Sequence, residues 1–243
     1  MVAELEEVPP SDVAAVERVK GVFDFYKRRA SVNSKDAVVT SPKSPEISRK
    51  IVVIGDGVVG KTPLIIRFCK GRVPEMNVPT TFEVHTADIE VDGKHVDLAL
   101  WDTSGEEMND RLRPLSYPNS HVILICFDIS YPNSLDSVQE KWISEVLYFC
   151  EGLPYLLIGL KKDLRDDPDV LRSLAVMQQH PVTWEEQAEE VRRKIEALEY
   201  LECSAKTGEG VREVFEHAAR AALLPRAKKK KRSLRRLIGR TFS

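Results

Sequence analysis

Eight consecutive residues constrain the fold of this chain more than any others. Gly55-Asp56-Gly57-Val58-Val59-Gly60-Lys61-Thr62 fits the spacing G-x-x-x-x-G-K-[ST]. The loop requires a strand entering and a helix leaving, and the apolar run Lys50 to Ile54 before it reads as that buried strand. Its glycines let successive backbone N–H groups turn inward around phosphate oxygens, and the helix start adds partial positive charge. Lys61 can neutralise β- and γ-phosphates, and the Thr62 hydroxyl can ligate Mg²⁺.

The pattern that follows is that of one α/β domain, roughly residues 50–224. Residues 83–91 and 94–101 alternate apolar and polar around Asp92-Gly93, a hairpin signal. His121 to Phe127, Pro154 to Gly159 and Tyr200 to Cys203 read as further strands. Helical spacing appears at Leu135, Val138, Trp142, Val146 and Phe149, and again at Val211, Val214, Phe215, Ala218 and Ala222. Alternating strands and helices imply a mainly parallel sheet covered on both faces. An extra helix is expected from Asp167-Pro168, with Val170, Leu171, Leu174 and Met177 on one side, stopping before Pro181. Thr183 then opens another helix, with Glu186 three residues on in capping-box position.

The loop alone leaves ATP and GTP open; three later segments choose between them. Asp102-Thr103-Ser104-Gly105 follows the third strand, where Asp102 can hold Mg²⁺ through water and the Gly105 amide can meet a γ-phosphate. Leu160-Lys161-Lys162-Asp163 follows the fifth. The Asp163 carboxylate can accept from both N1–H and the N2 amino group of guanine, donors that adenine does not offer together. Ser204-Ala205-Lys206 follows the last strand and can give a backbone N–H to guanine O6.

Together these segments resemble the guanine-nucleotide motifs of the Ras-like small GTPases. Ala87 to Lys94, Leu98 to Thr103, Arg111 to Pro118 and Glu202 to Thr207 look like the Rho branch in particular. The resemblance covers about residues 50–224. It implies a six-stranded sheet with one antiparallel strand, a Rho-type insert helix near Pro168 to Gln179, and GTP or GDP bound with Mg²⁺. It assigns the nucleotide to Gly55 through Pro63, Thr80, Asp102, Gly105, Lys161, Asp163, Ser204, Ala205 and Lys206. The metal falls to Thr62, Thr80 and Asp102, and hydrolysis to Glu106, Lys61 and Thr80. Val78 to Glu83 resembles the first switch, and effectors and regulators are expected at residues 71–84 and 105–119 of a monomer. No nucleic-acid partner is expected.

Five positions depart from the Rho pattern. Glu106 replaces the glutamine that orients the attacking water; it can accept from that water but donates no amide hydrogen and brings a negative charge. Pro63 lacks the N–H offered to the α-phosphate. Leu160 replaces an Asn or Thr that ties the base loop to the phosphate loop. Val73 stands where an aromatic ring lies against guanine, and Val58 is bulkier than the usual Gly or Ala. Two readings stand: a switch with fast exchange and altered hydrolysis, or a pseudo-GTPase scaffold that binds partners without a working cycle.

Charge separates the ends from the body. From Arg226 onward there are nine basic residues and no acidic one; without them the net charge of -2 becomes -11 for the rest. This tail, 225–243, ends Arg240-Thr-Phe-Ser243 where Rho proteins carry a prenylated CaaX box. Leu234, Leu237, Ile238 and Phe242 among its basic residues suit a short amphipathic helix on an anionic membrane; a nuclear-localisation signal or a solvated tail are the alternatives. Residues 1–49 read as a flexible extension with a short helix between Ser11 and Arg29. The acidic N-terminus and four scattered cysteines point to a cytoplasmic protein with reduced thiols.

Overall fold

The computed structural model describes residues 47–73, 80 and 82–225. The helix expected between Ser11 and Arg29, the basic tail from Arg226 and residues 74–79 and 81 of the first-switch region lie outside the described residues.

Six strands, β1 (Ile47–Ile54), β2 (Phe82–Val91), β3 (Lys94–Thr103), β4 (Val122–Asp128), β5 (Tyr155–Leu160) and β6 (Tyr200–Glu202), form one sheet in the order β2-β3-β1-β4-β5-β6. Every neighbouring pair is parallel except β2 with β3. That pair is the hairpin expected at Asp92-Gly93, where both residues take positive φ (53° and 71°) as the turn demands.

Alternation along the strands divides the core in two. Ile51, Val53, Leu124 and Cys126 face α1 (Lys61–Lys70) and α6 (Val211–Leu223). Val52, Ile54, Ile123 and Phe127 face α2 (Asn133–Ser137), α3 (Ile143–Phe149) and α5 (Glu189–Ile195). A π-helical turn, Val138–Trp142, joins α2 to α3. The five positions expected to face the core from α6 are buried, and so are Leu135, Val138, Trp142 and Val146. Phe149 is not: it sits 46% exposed at the end of α3, stacked on Tyr117.

The insert helix, α4 (Pro168–Val176), is present where expected, and the Asp167 side chain caps it by accepting from the N–H groups of Asp169 and Val170. Its apolar side is only partly covered, with Leu174 buried while Leu171 and Met177 are exposed. The capping box at Thr183 is shifted by one residue. Gln187, not Glu186, accepts from the Thr183 N–H at 3.0 Å, because the first turn, Trp184–Ala188, is π-helical and places the residue four positions on above the cap.

The first strand lies between β3 and β4, so the chain leaves β1 at the point where successive strands are added to opposite sides. Crevices at such a switch point, beyond the carboxyl ends of the strands, receive ligands in open α/β sheets. Residues 55–62, 102–105, 161–163 and 204–206 all leave strands at that edge.

Candidate nucleotide site

The loop between β1 and α1 is shaped by close backbone approaches. A Cβ on Gly55 would stand 2.1 Å from the Cys126 carbonyl oxygen, and one on Gly105 would stand 2.2–2.4 Å from Asp56, Gly55 and Gly57 backbone atoms. Neither position admits a side chain. Gly60 opens α1 with φ 111°. Val58 takes φ 63° although it is β-branched, a conformation that costs it about 1–2 kcal/mol, and its side chain points into solvent. Val59 turns the other way, into the α1–α6 core.

Lys61 is 6% exposed and donates to the carbonyl oxygens of Gly55 (2.8 Å) and Asp56 (2.7 Å). Burial pushes its pKa below the ordinary lysine value, a cost that an anionic ligand would offset. Pro63 is the third residue of α1, within the first turn, where a backbone N–H has no helical acceptor. The helix therefore tolerates it, and only a ligand would miss the hydrogen.

The three residues assigned to the metal meet. Thr62 Oγ1 lies 2.7 Å from Thr80 Oγ1 and donates to Asp102 Oδ2 at 2.5 Å. Asp102 is fully buried at the end of β3, and its other oxygen, Oδ1, is buried without a hydrogen-bond partner. Burial raises its carboxyl to about 6, opposed by the Thr62 hydrogen bond and the Lys61 charge. Hydroxyls and a carboxylate with an orphaned oxygen form a hard donor set that suits Mg²⁺.

At the other end of the crevice, Asp163 Oδ1 accepts from Ser204 Oγ at 2.5 Å, and Lys206 Nζ lies 3.8 Å from Asp163 Oδ2. The Ser204 N–H is committed to the Glu209 carbonyl at 2.9 Å, so an amide for a ligand falls to Ala205 or Lys206. Lys161 adopts φ 58° and pairs with Asp128 Oδ2 at 2.6 Å. Gly60 connects the two ends, with Leu160 and Lys161 packing beneath the position its Cβ would occupy at 3.7 and 3.6 Å. Where a polar tether is expected, Leu160 therefore gives an apolar contact, and it is buried.

Glu106 is exposed and reaches back over the loop, its Oε1 2.3 Å from where a Gly57 Cβ would lie. The exposed Met108 lies beside it, in the segment 105–119 expected to act as the second switch. Sequence reasoning overlooked Asp128, Trp142 and Arg113 as parts of this region. Asp128 ends β4 at the same sheet edge, a signal that topology alone supplies. Trp142 was legible only as a core position, since its apolar spacing says nothing of its N–H.

The Ras family model matches residues 50–224. Relatives include the GTP-binding protein rho1 of Schizosaccharomyces pombe, 62% identical over 77% of this chain and 93% of that protein. The GTP-binding protein RHO1 of Candida albicans is 59% identical over 77% of this chain and 94% of its own length. Saccharomyces cerevisiae RHO1, also a GTP-binding protein, is 58% identical over 75% and 87% respectively.

Proposed function

This chain belongs to the Ras family, among small GTPases of the Rho type, and we propose that it is a guanine-nucleotide-dependent signalling switch with fast exchange and altered hydrolysis. The observation that carries this reading is the meeting of Thr62 with both Thr80 and Asp102 beside the buried Lys61.

The division of labour follows from the residues. Backbone N–H groups of 55–62 and the Lys61 ammonium hold the phosphates. Asp163 selects guanine by accepting from its two donors, and the 205–206 backbone supplies an N–H to its carbonyl. Thr62, Thr80 and Asp102 would hold Mg²⁺, which when bound neutralises phosphate charge. The hydroxyl of Thr80 joins this set from the first switch, which couples residues 71–84 to the nucleotide state. Gly105 offers an amide to the γ-phosphate at the start of the second switch. Glu106 accepts from the attacking water. Effectors and regulators read residues 71–84 and 105–119.

Three departures favour fast release. Pro63 has no N–H for the α-phosphate, Leu160 packs without a polar tether, and Val73 offers no ring to stack on guanine. The basic tail would hold the protein on an anionic membrane, each Lys or Arg near the surface contributing about 1 kcal/mol.

Nucleotide content of the purified protein, released by denaturation and resolved by HPLC, tests the reading. Bound GDP or GTP supports the switch. Protein free of nucleotide, and unable to take up GDP with Mg²⁺, identifies the scaffold instead.

A further inference from the structure

A buried indole links the phosphate loop to the second switch through contacts that packing alone does not require. Trp142 is fully buried at the end of the π-helical turn, and its Nε1–H donates to Asp56 Oδ1 at 2.7 Å. The Asp56 carbonyl, with that of Gly55, is what holds the Lys61 ammonium.

On the faces of the same indole lie two cations. The Arg113 guanidinium carbon is 4.5 Å from its ring centroid and Lys141 Nζ is 4.8 Å away. Arg113 is 4% exposed and held on several sides at once. It donates to the Ser104 carbonyl (3.1 Å), to Asp110 Oδ1 (2.7 Å), and to both oxygens of Glu145 (2.7 Å each). Tyr117 also donates to Glu145, and Lys141 pairs with Asp110 at 3.1 Å.

Continuous contact therefore runs from Lys61 through the 55–56 backbone, the Asp56 carboxylate, Trp142 and Arg113 to residues 104 and 110. A phenyl ring could fill the helix–sheet interface and lie under the same cations. Only an indole brings a donor to Asp56, in a loop whose ligand is itself an anion.

We propose that Trp142 is a positioning residue: it anchors Asp56, and with it the carbonyls that hold Lys61, and through Arg113 it ties the phosphate loop to the second switch. The proposal rests on the guanine-nucleotide reading of the site.

The test begins with the full chain loaded with mant-GDP and Mg²⁺. Trp142→Phe keeps an aromatic ring and removes the donor, so release should accelerate about tenfold. Asp56→Asn and Asp56→Ala both remove the charge, but only Asn keeps an acceptor oxygen for the indole, so Asp56→Asn should release more slowly than Asp56→Ala. Asp56→Ala should match Trp142→Phe, and the double variant Trp142→Phe/Asp56→Ala should be no faster than either single variant. Incorporated 5-fluorotryptophan gives a second readout. The resonance that disappears in Trp142→Phe should shift between GDP and a non-hydrolysable GTP analogue, and lose that shift in Asp56→Ala.

Loading of mant-GDP with release unchanged in Trp142→Phe and Asp56→Ala would overturn the positioning role and leave the nucleotide reading intact. Failure of the unmodified protein to load any guanine nucleotide would overturn both. Should Trp142→Phe fold poorly, Asp56→Ala against Asp56→Asn decides: the positioning role predicts faster release in Asp56→Ala, whereas a side chain that merely packs the interface predicts equal release in the two.

Discussion

The carboxylate of Glu106 closes on the bare Cα of Gly57, so that a Cβ added there would stand 2.3 Å from Glu106 Oε1. A negative charge therefore overhangs the loop that we propose receives the nucleotide's phosphates. GTP carries more charge than GDP, so this carboxylate should discriminate against GTP. The site is open to water, which limits the effect to about 0.7 kcal/mol, near the upper range for exposed charges. Glu106→Gln should raise the ratio of GTP to GDP affinity about threefold, and the gain should shrink as salt rises. Equilibrium titration with both nucleotides at two ionic strengths checks this; an unchanged ratio places the γ-phosphate elsewhere.

Ser204 donates to the Asp163 carboxylate at 2.5 Å, and on the proposed reading that carboxylate selects the base. Asp163→Asn puts a donor where guanine also donates, and GTP binding should weaken by about 1.5–3 kcal/mol. Xanthine presents a carbonyl in place of the amino group, so XTP should lose less or gain. Competition binding of GTP against XTP measures the switch in preference.

How far the site could be read without coordinates depends on whether the chemistry is local. Gly55 through Thr62 is contiguous and carries its own spacing, and Asp102, Asp163 and Ala205 each lie at or just past the end of a strand, so alternation plus motif was enough to single them out as candidates. The hairpin was equally plain because Asp92-Gly93 can adopt positive φ at both residues. Trp142 was invisible as a partner of the loop, since its contact with Asp56 joins residues 86 positions apart. The Thr183 cap was misread for a different reason: a π-helical turn changes which residue faces the cap, and residue identity does not announce it. Leu171 and Met177 have helical spacing but little to pack against, which only the placement of α4 reveals.

Stability should also depend on pH through Lys50. Its ammonium is buried beneath Trp101, 3.2 Å from the ring centroid, and donates to the Pro118 carbonyl at 2.9 Å. Burial lowers its pKa to about 7, although the ring and carbonyl favour the charged form. The unfolded chain keeps the ordinary lysine value near 10.4, so between about pH 7 and 10 it binds more protons than the native state. Stability contributed by this group therefore rises with pH across that window. Lys50→Met should remove that slope, read as urea midpoints at pH 7, 8 and 9. A slope equal in both proteins would show that Lys50 stays charged in its niche.

For the tail, deletion of Arg226 to Ser243 should abolish binding to vesicles containing phosphatidylserine. Binding of the full chain should weaken with salt, since screening acts over about 8 Å at physiological ionic strength. Sedimentation with vesicles at 50 and 300 mM salt checks both. Retention by the deleted protein, or binding indifferent to salt, would point to another anchor.

The central claim is that this protein releases nucleotide fast and hydrolyses GTP at an abnormal rate because of residues identified above. Losing the Pro63 hydrogen bond, the Leu160 tether and the Val73 ring, at about 1 kcal/mol each, gives roughly a hundredfold in affinity if the losses add. The direct measurement is mant-GDP release and single-turnover GTP hydrolysis, in the unmodified protein and after two restorations. Pro63→Cys, Leu160→Asn and Val73→Phe together should slow release by up to that hundredfold, and Glu106→Gln separately should move the hydrolysis rate. Slow release in the unmodified protein, unaltered by the triple restoration and accompanied by hydrolysis indifferent to Glu106→Gln, would contradict the account.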